Sequence, residues 1–341
     1  MAALPVVAVV ADYAVWQVSV YRLESGFRAW IADRDSHGWK VTVSDRKTGG
    51  WPFAATLTVT DLAMAGGEPA VPGGAYWDVK QLVLKVDLLE PWTLDISPIG
   101  VQRVRFGNGP DLPFVAENVH ITLPLQSDEK STHLTMVVDR LRAELPTDNE
   151  PSATVTVDRI EGHADLTPTA AAGEPAVAFS VTAGPVGLPR QGRWPLGPTL
   201  SSLSVDGALE GPLPAPAAPA TWAAAWRDGG GSLEIQKLNL VWGPLTVAGS
   251  ATLALDDQLQ PMGAGNSRIV GYDATLDALA GNGVLTRSAA KAAKAVLSLL
   301  ADTPPGGEQP EVEVPLTLQL RTLSMRQVPL VRLPELDWGG P

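Results

Sequence analysis

Residues Leu233 to Asp256 read LEIQKLNLVWGPLTVAGSATLALD, and this stretch decides the fold. On its second arm Leu245, Val247, Gly249, Ala251, Leu253 and Leu255 fall on one side, while Thr246, Ala248, Ser250 and Thr252 fall on the other. Period two is the repeat of a strand with one buried face, not of a helix. On the first arm Leu233 and Ile235 change parity before Leu238, Leu240 and Trp242, so an extra residue near Gln236 is expected to form a bulge. Between the arms Trp242-Gly243-Pro244 supplies the corner, because glycine tolerates turn angles and proline can begin a strand but not sit inside one. The chain therefore makes hairpins with one apolar face, and what that face covers is the functional question.

The same alternation recurs on both sides of this hairpin. After Gly49-Gly50-Trp51-Pro52 come Phe53, Ala55, Leu57 and Val59; further runs stand at 82–88, 92–96, 119–123, 134–138, 177–181 and 312–320. The links between them are too short for crossover helices, which predicts antiparallel pairing. With 33 Gly and 30 Pro in 341 residues, the expected class is mainly β: a long curved antiparallel sheet, half-barrel or trough-like, with an N-terminal helix and a few packing helices. Trp51-Pro52-Phe53, Trp194-Pro195-Leu196 and Trp242-Gly243-Pro244 each set a tryptophan and a proline before an apolar run, a weak structural repeat. Residues 39–341 are read as one elongated β-rich domain, interrupted at 211–231 by a Pro/Ala-rich linker holding a short helix. In that helix Trp222 and Trp226 stand one turn apart and are expected to plug the open side of the sheet.

Leu4 to Tyr21 is almost wholly apolar, close to the roughly 20 residues a spanning helix needs. Residues 1–22 are therefore read as a membrane anchor and 23–38 as an amphipathic stalk, with Leu23, Phe27, Trp30 and Ile31 on one face. The competing reading is a long helix packed on the sheet. Arg22, Arg28 and Arg34 follow the segment, which by the positive-inside rule favours a cytoplasmic body. Two more helices are expected after the central hairpin, one over 274–280 and one from Val284 to before Pro304. In the second, Leu285, Ala289, Ala292, Val296, Leu299 and Leu300 form an apolar stripe, with Arg287, Lys291 and Lys294 expected in water. The tail from Leu323 to Trp338 is apolar enough to pack as an edge.

A formal charge of -12 argues against nucleic acid and against steering onto an anionic surface. There is no cysteine, and His37, His120, His133 and His163 lack the close pairing of helical metal motifs, so no metal site is expected. No phosphate loop, nucleophile elbow or dinucleotide fingerprint occurs; Gly263-Ala264-Gly265 lacks a third glycine. Ser288-Ala289-Ala290-Lys291 has the form of a serine-enzyme motif, but Lys47-Thr48-Gly49 precedes it, the reverse of the order that chemistry uses. An enzyme is not expected, nor any cofactor.

The N-terminal apolar segment, Gly49-Gly50-Trp51-Pro52-Phe53, the Trp226 helix running into Gly230-Gly231, Trp242-Gly243-Pro244-Leu245, Gln260-Pro261-Met262-Gly263, Val314-Pro315-Leu316 and Leu333-Pro334-Glu335-Leu336 together resemble the domain of unknown function 2125 family. The resemblance covers nearly the whole chain and implies a single-pass protein of the bacterial inner membrane, mainly of alphaproteobacteria, with its body in the periplasm. That family looks distantly similar to AsmA-like and YdgA-like proteins, which implies an apolar groove used for lipid passage. The expected partners are a lipid or another long apolar ligand, the membrane through the N-terminal helix, and possible envelope proteins. The lining expected from the alternation is Phe53, Leu57, Val59, Leu238, Leu240, Trp242, Val247 and Leu253. The alternative is a scaffolding protein of the envelope in which the same residues make a closed core.

Overall fold

Antiparallel strands with one apolar face account for most of the chain, as the alternation predicts. The computed structural model describes residues 3–68, 71, 73–126, 132–146, 153–190, 192–302, 309–325 and 328–338. The chain packs as two units, Met1–Asp148 and Asn149–Pro341. The class is mainly β, antiparallel at every described pairing, with an N-terminal helix and, among the described residues, three further helices.

The first unit holds α1 (Ala3–Ser36), β1 (Lys40–Thr42), β2 (Asp45–Gly49), β3 (Ala54–Gly66), β4 (Ala75–Asp87), β5 (Thr93–Phe106), β6 (Leu112–Val115), β7 (Asn118–Pro124) and β8 (Thr132–Leu145). The helix runs unbroken to Ser36, and just beyond it Gly38, with a φ of 79°, lets the chain turn out. There Trp39 N–H reaches Arg34 O at 2.9 Å and Gly38 N–H reaches Asp35 O at 3.0 Å, the paired bonds of a glycine-ended helix. Leu23 and Phe27, one turn apart, press onto Leu57, Val59 and Leu62 of β3 and onto Val79, Leu82, Leu84 and Val86 of β4. The register sets Leu57 beside Leu84 and Leu84 beside Ile96, so alternate residues of three strands share that core face. Contact with the sheet begins well before Leu23. Trp16 Nε1 donates to Gly49 O at 3.1 Å, and the Tyr13 ring meets Trp51 edge-on at 6.2 Å. Among the described residues no helix is long and apolar enough to cross a membrane.

The second unit holds β9 (Ala153–Leu166), β10 (Pro175–Ala183), β11 (Val186–Gly187), β12 (Thr199–Glu210), α2 (Pro219–Asp228), β13 (Ser232–Trp242), β14 (Leu245–Leu255), β15 (Pro261–Val270), α3 (Tyr272–Gly281), α4 (Arg287–Leu300), β16 (Glu311–Gln319), β17 (Thr322–Met325) and β18 (Val328–Arg332). From β12 to β18 each strand pairs with the next. The hairpin at the centre of the sequence is β13–β14, and its bulge is where the parity change put it. Ile235 faces Ala251 and Leu238 faces Gly249, so β13 spends one residue more than β14 between the two pairs. On α2 the Trp222 and Trp226 rings stack at 6.0 Å; Trp226 is buried and donates to Glu210 O at 3.0 Å.

The α4 helix follows its expected stripe in part: Ala292 and Val296 face the sheet, but Ala290 is the buried residue, Ala293 and Leu297 are half-buried, and Leu299 is 86% exposed. Lys294 is not left in water: it is 23% exposed and pairs with Asp273 at 2.9 Å and Asp277 at 2.7 Å, both on α3. The ammonium is thus held by two carboxylates of the neighbouring helix, charge-assisted contacts that tie α4 to α3. The tail packs down, as its apolarity suggested: Trp338 Nε1 donates to Leu259 O at 2.7 Å, and Arg321 pairs with Glu335 at 2.8 Å.

Candidate functional site

The cross-strand register of the second unit lines up its side chains in rows. One row is Leu233, Leu253, Gly263, Leu318 and Leu323; the next is Ile235, Ala251, Gly265, Leu316 and Met325; the third is Leu238, Gly249, Ser267 and Val314. In each row the outer strands, β13 and β16, carry a branched side chain, while β15 carries Gly or Ser and β14 shrinks to Gly or Ala in two rows of three. Small residues in the middle of a sheet face leave a trough between two apolar ridges. On β15 the pattern is strict: odd positions are half-buried and even positions exposed from Met262 to Arg268.

The roof over this trough is α4. Thr286 starts the helix, its hydroxyl accepting Ala289 N–H at 3.1 Å. The ion pairs of Lys294 hold the helix to α3, which follows directly from β15 through Gly271. Ala292, Ala293, Val296 and Leu297 then face the floor without filling it, leaving a cavity of about 800 Å³. That volume lies within the roughly 300–1,000 Å³ of small-molecule sites.

The walls decide what such a space can do. The polar side chains along it are Ser250, Asn266 and Ser267; the first two stand at exposed positions, and the Ser267 hydroxyl donates to Val314 O at 3.3 Å. Among the described residues no ionisable side chain lines it. What it offers is contact area for something apolar.

The residues expected from the sequence to line a groove separate into three groups. Leu238, Val247 and Leu253 stand in the cavity wall. Leu240 lies on the same face, in the row Leu203, Leu240, Val247, Ile269 and Val312, outside the cavity. Trp242 turns to the corner, where its Nε1 donates to Gly197 O at 2.9 Å and its ring lies 6.4 Å from that of Trp194. Two of the three tryptophan corners thus pack on each other, while the third, Trp51, is exposed against α1. In the first unit Leu57 and Val59 are wholly buried, 0% exposed, as part of the packed core beneath α1, and Phe53 stands in the turn before β3 at 77% exposure.

Reading for large apolar residues anticipated the roof, an apolar-striped helix lying across a sheet face with Ala292 and Val296 inward, but missed the floor strand β15. The floor glycines Gly249, Gly263 and Gly265 leave one signal in the sequence, a Gly-x-Gly at strand spacing. Backbone approach explains them: a Cβ on Gly249 would lie 2.6 Å from Asn266 O, and one on Gly263 would run into Thr252 O.

No curated protein and no solved structure matches the chain. A family model does match, over residues 16–334, from within α1 to the tail beyond β18. The chain therefore belongs to the family described as uncharacterized protein conserved in bacteria (DUF2125).

Proposed function

We propose that this protein is a non-enzymatic binder of long apolar molecules, in the bacterial envelope the acyl chains of lipids, and that it carries them in the cleft between α4 and the β13–β17 face. The cleft itself carries the reading: about 800 Å³ of space with apolar ridges, a glycine and alanine floor and, among the described residues, no ionisable side chain in its wall. Burial of apolar ligand surface contributes about 25 cal/mol per Å², so an alkyl chain laid along the trough needs no polar anchor to be held. A role in passing lipid between membranes follows if loading and release occur at different surfaces. Contact with the inner membrane through the N-terminal part of α1 fits the exposed Val9, Val10 and Tyr13 there.

Native mass spectrometry of the full chain, purified from a membrane extract, tests this. The wild type should carry a co-purifying lipid. Leu253→Asp, which sets a carboxylate in the wall, and Ala251→Phe, which occupies the floor, should both lose the lipid held in this cleft. A bare mass for the folded wild type would overturn the reading.

A further inference from the structure

The first unit has an apolar cavity of its own, about 1080 Å³, between α1 and the strands β4, β5 and β7. Leu84, Trp92, Leu94 and Leu123 line its sheet side. It differs from the cleft under α4 in one respect: a cation stands in its wall. Among the described residues its polar side chains are Ser19, Arg22 and Gln126, with neither Asp nor Glu among them, although the chain has 37 acidic residues to 25 basic. The Ser19 hydroxyl is spent on Val15 O at 2.9 Å. Among the described residues Arg22 has no carboxylate within ion-pair distance, whereas Lys80, Lys85, Arg103 and Arg105 of the same unit each have one.

An unpaired guanidinium on the rim of an apolar space complements one kind of guest. Its planar fork of donors matches a carboxylate or phosphate, and beside low-dielectric walls such a contact is stronger than in water. We propose that the cavity of the first unit binds a single-chain anionic amphiphile, its alkyl tail against the β4–β5–β7 face and its acidic head on Arg22. Among the described residues the cleft under α4 has no such group in its wall, and it takes neutral chains equally well. The two sites therefore differ in ligand class, and the assignment for the first unit stands independently of the proposal for the second.

The test is equilibrium dialysis of the full chain at pH 8 against two probes of equal length, palmitate and hexadecanol. Arg22→Gln, on the exposed side of α1, should weaken palmitate about tenfold, the scale of one charge-assisted contact, and leave hexadecanol within about twofold. Val18→Trp narrows the cavity and should remove the first unit's share of both probes. Ala251→Phe should leave the Arg22-dependent palmitate site intact, so failure of the α4 cleft as a binding site would not be mistaken for failure here. Equal effects of Arg22→Gln on both probes, no effect on either, or loss of the palmitate site in Ala251→Phe would overturn the proposal.

Discussion

Gln260 and Leu336 exchange two hydrogen bonds across 76 residues of chain: Gln260 Nε2 donates to Leu336 O at 3.1 Å, and Leu336 N–H donates to Gln260 Oε1 at 2.9 Å. The amide sits at the turn between β14 and β15 and is buried, so one side chain ties the C-terminal tail to the end of the cleft-bearing hairpin. Replacing it by alanine removes both bonds and leaves the turn less covered. Gln260→Ala should cost about 1–3 kcal/mol, the usual penalty for losing a buried polar partner. Urea denaturation measures the cost, and limited proteolysis should cut beyond Arg332 sooner than in the wild type. Unchanged proteolysis would mean that Trp338 and Arg321 hold the tail without it.

Lys294 should give the roof of the cleft an alkaline limit. Hydrogen bonds from the ammonium to Asp277 and Asp273 raise its pKa above the ordinary lysine value. A raised pKa means the charged form is favoured in the folded state, so this contribution is complete below about 10.4 and is lost as pH climbs through the folded-state value. Amide protection factors along α4 should exceed those of Lys294→Met by a constant margin through neutral pH, and the two should converge only as pH climbs beyond the ordinary lysine range. Convergence near pH 8 would show that the ion pairs do not hold the helix.

Leu57 and Phe53 lie four residues apart at the same parity, yet only one of them holds the first unit together. Leu57 is fully buried against α1 and β4, so Leu57→Ala should cost about 2–5 kcal/mol, the range for emptying a packed core site. Phe53→Ser should stay within about 0.5 kcal/mol, because the ring is in solvent. Thermal denaturation of the two variants separates them. A large loss in Phe53→Ser would mean that its ring is covered.

Those two residues also mark how far the sequence could be read. Alternation located the β13–β14 hairpin, its bulge and the strand after Phe53, because each has large apolar residues on one side and polar ones on the other. It could not say which apolar positions would be sealed, since that depends on where α1 and α4 come down. The strand β15, PMGAGNSRIV, left no hydrophobic alternation for the same physical reason that the cleft exists: its inward positions Gly263, Gly265 and Ser267 are too small to give one. On α4 it was Lys294 that departed from expectation, since its partners lie on a separate helix and no spacing within α4 could disclose that pairing.

Two glycines of similar appearance should respond to alanine with opposite signs. Gly263 faces the cleft from β15, and a methyl there would collide with Thr252 O and come within 2.8 Å of a Leu253 methyl, so the neighbouring strand must shift. Gly263→Ala should therefore destabilise by about 1–3 kcal/mol, the cost of forcing a methyl into a packed place. Gly26 lies in the middle of α1 with nothing within 4 Å of where a Cβ would be. There alanine stiffens the unfolded chain and suits the helix, and Gly26→Ala should stabilise by up to about 1 kcal/mol. Chemical denaturation of the pair on the full chain gives both signs in one experiment. Stabilisation by Gly263→Ala would show that the backbone of β14 and β15 is further apart than described, and the cleft would then owe its depth to strand spacing rather than to missing side chains.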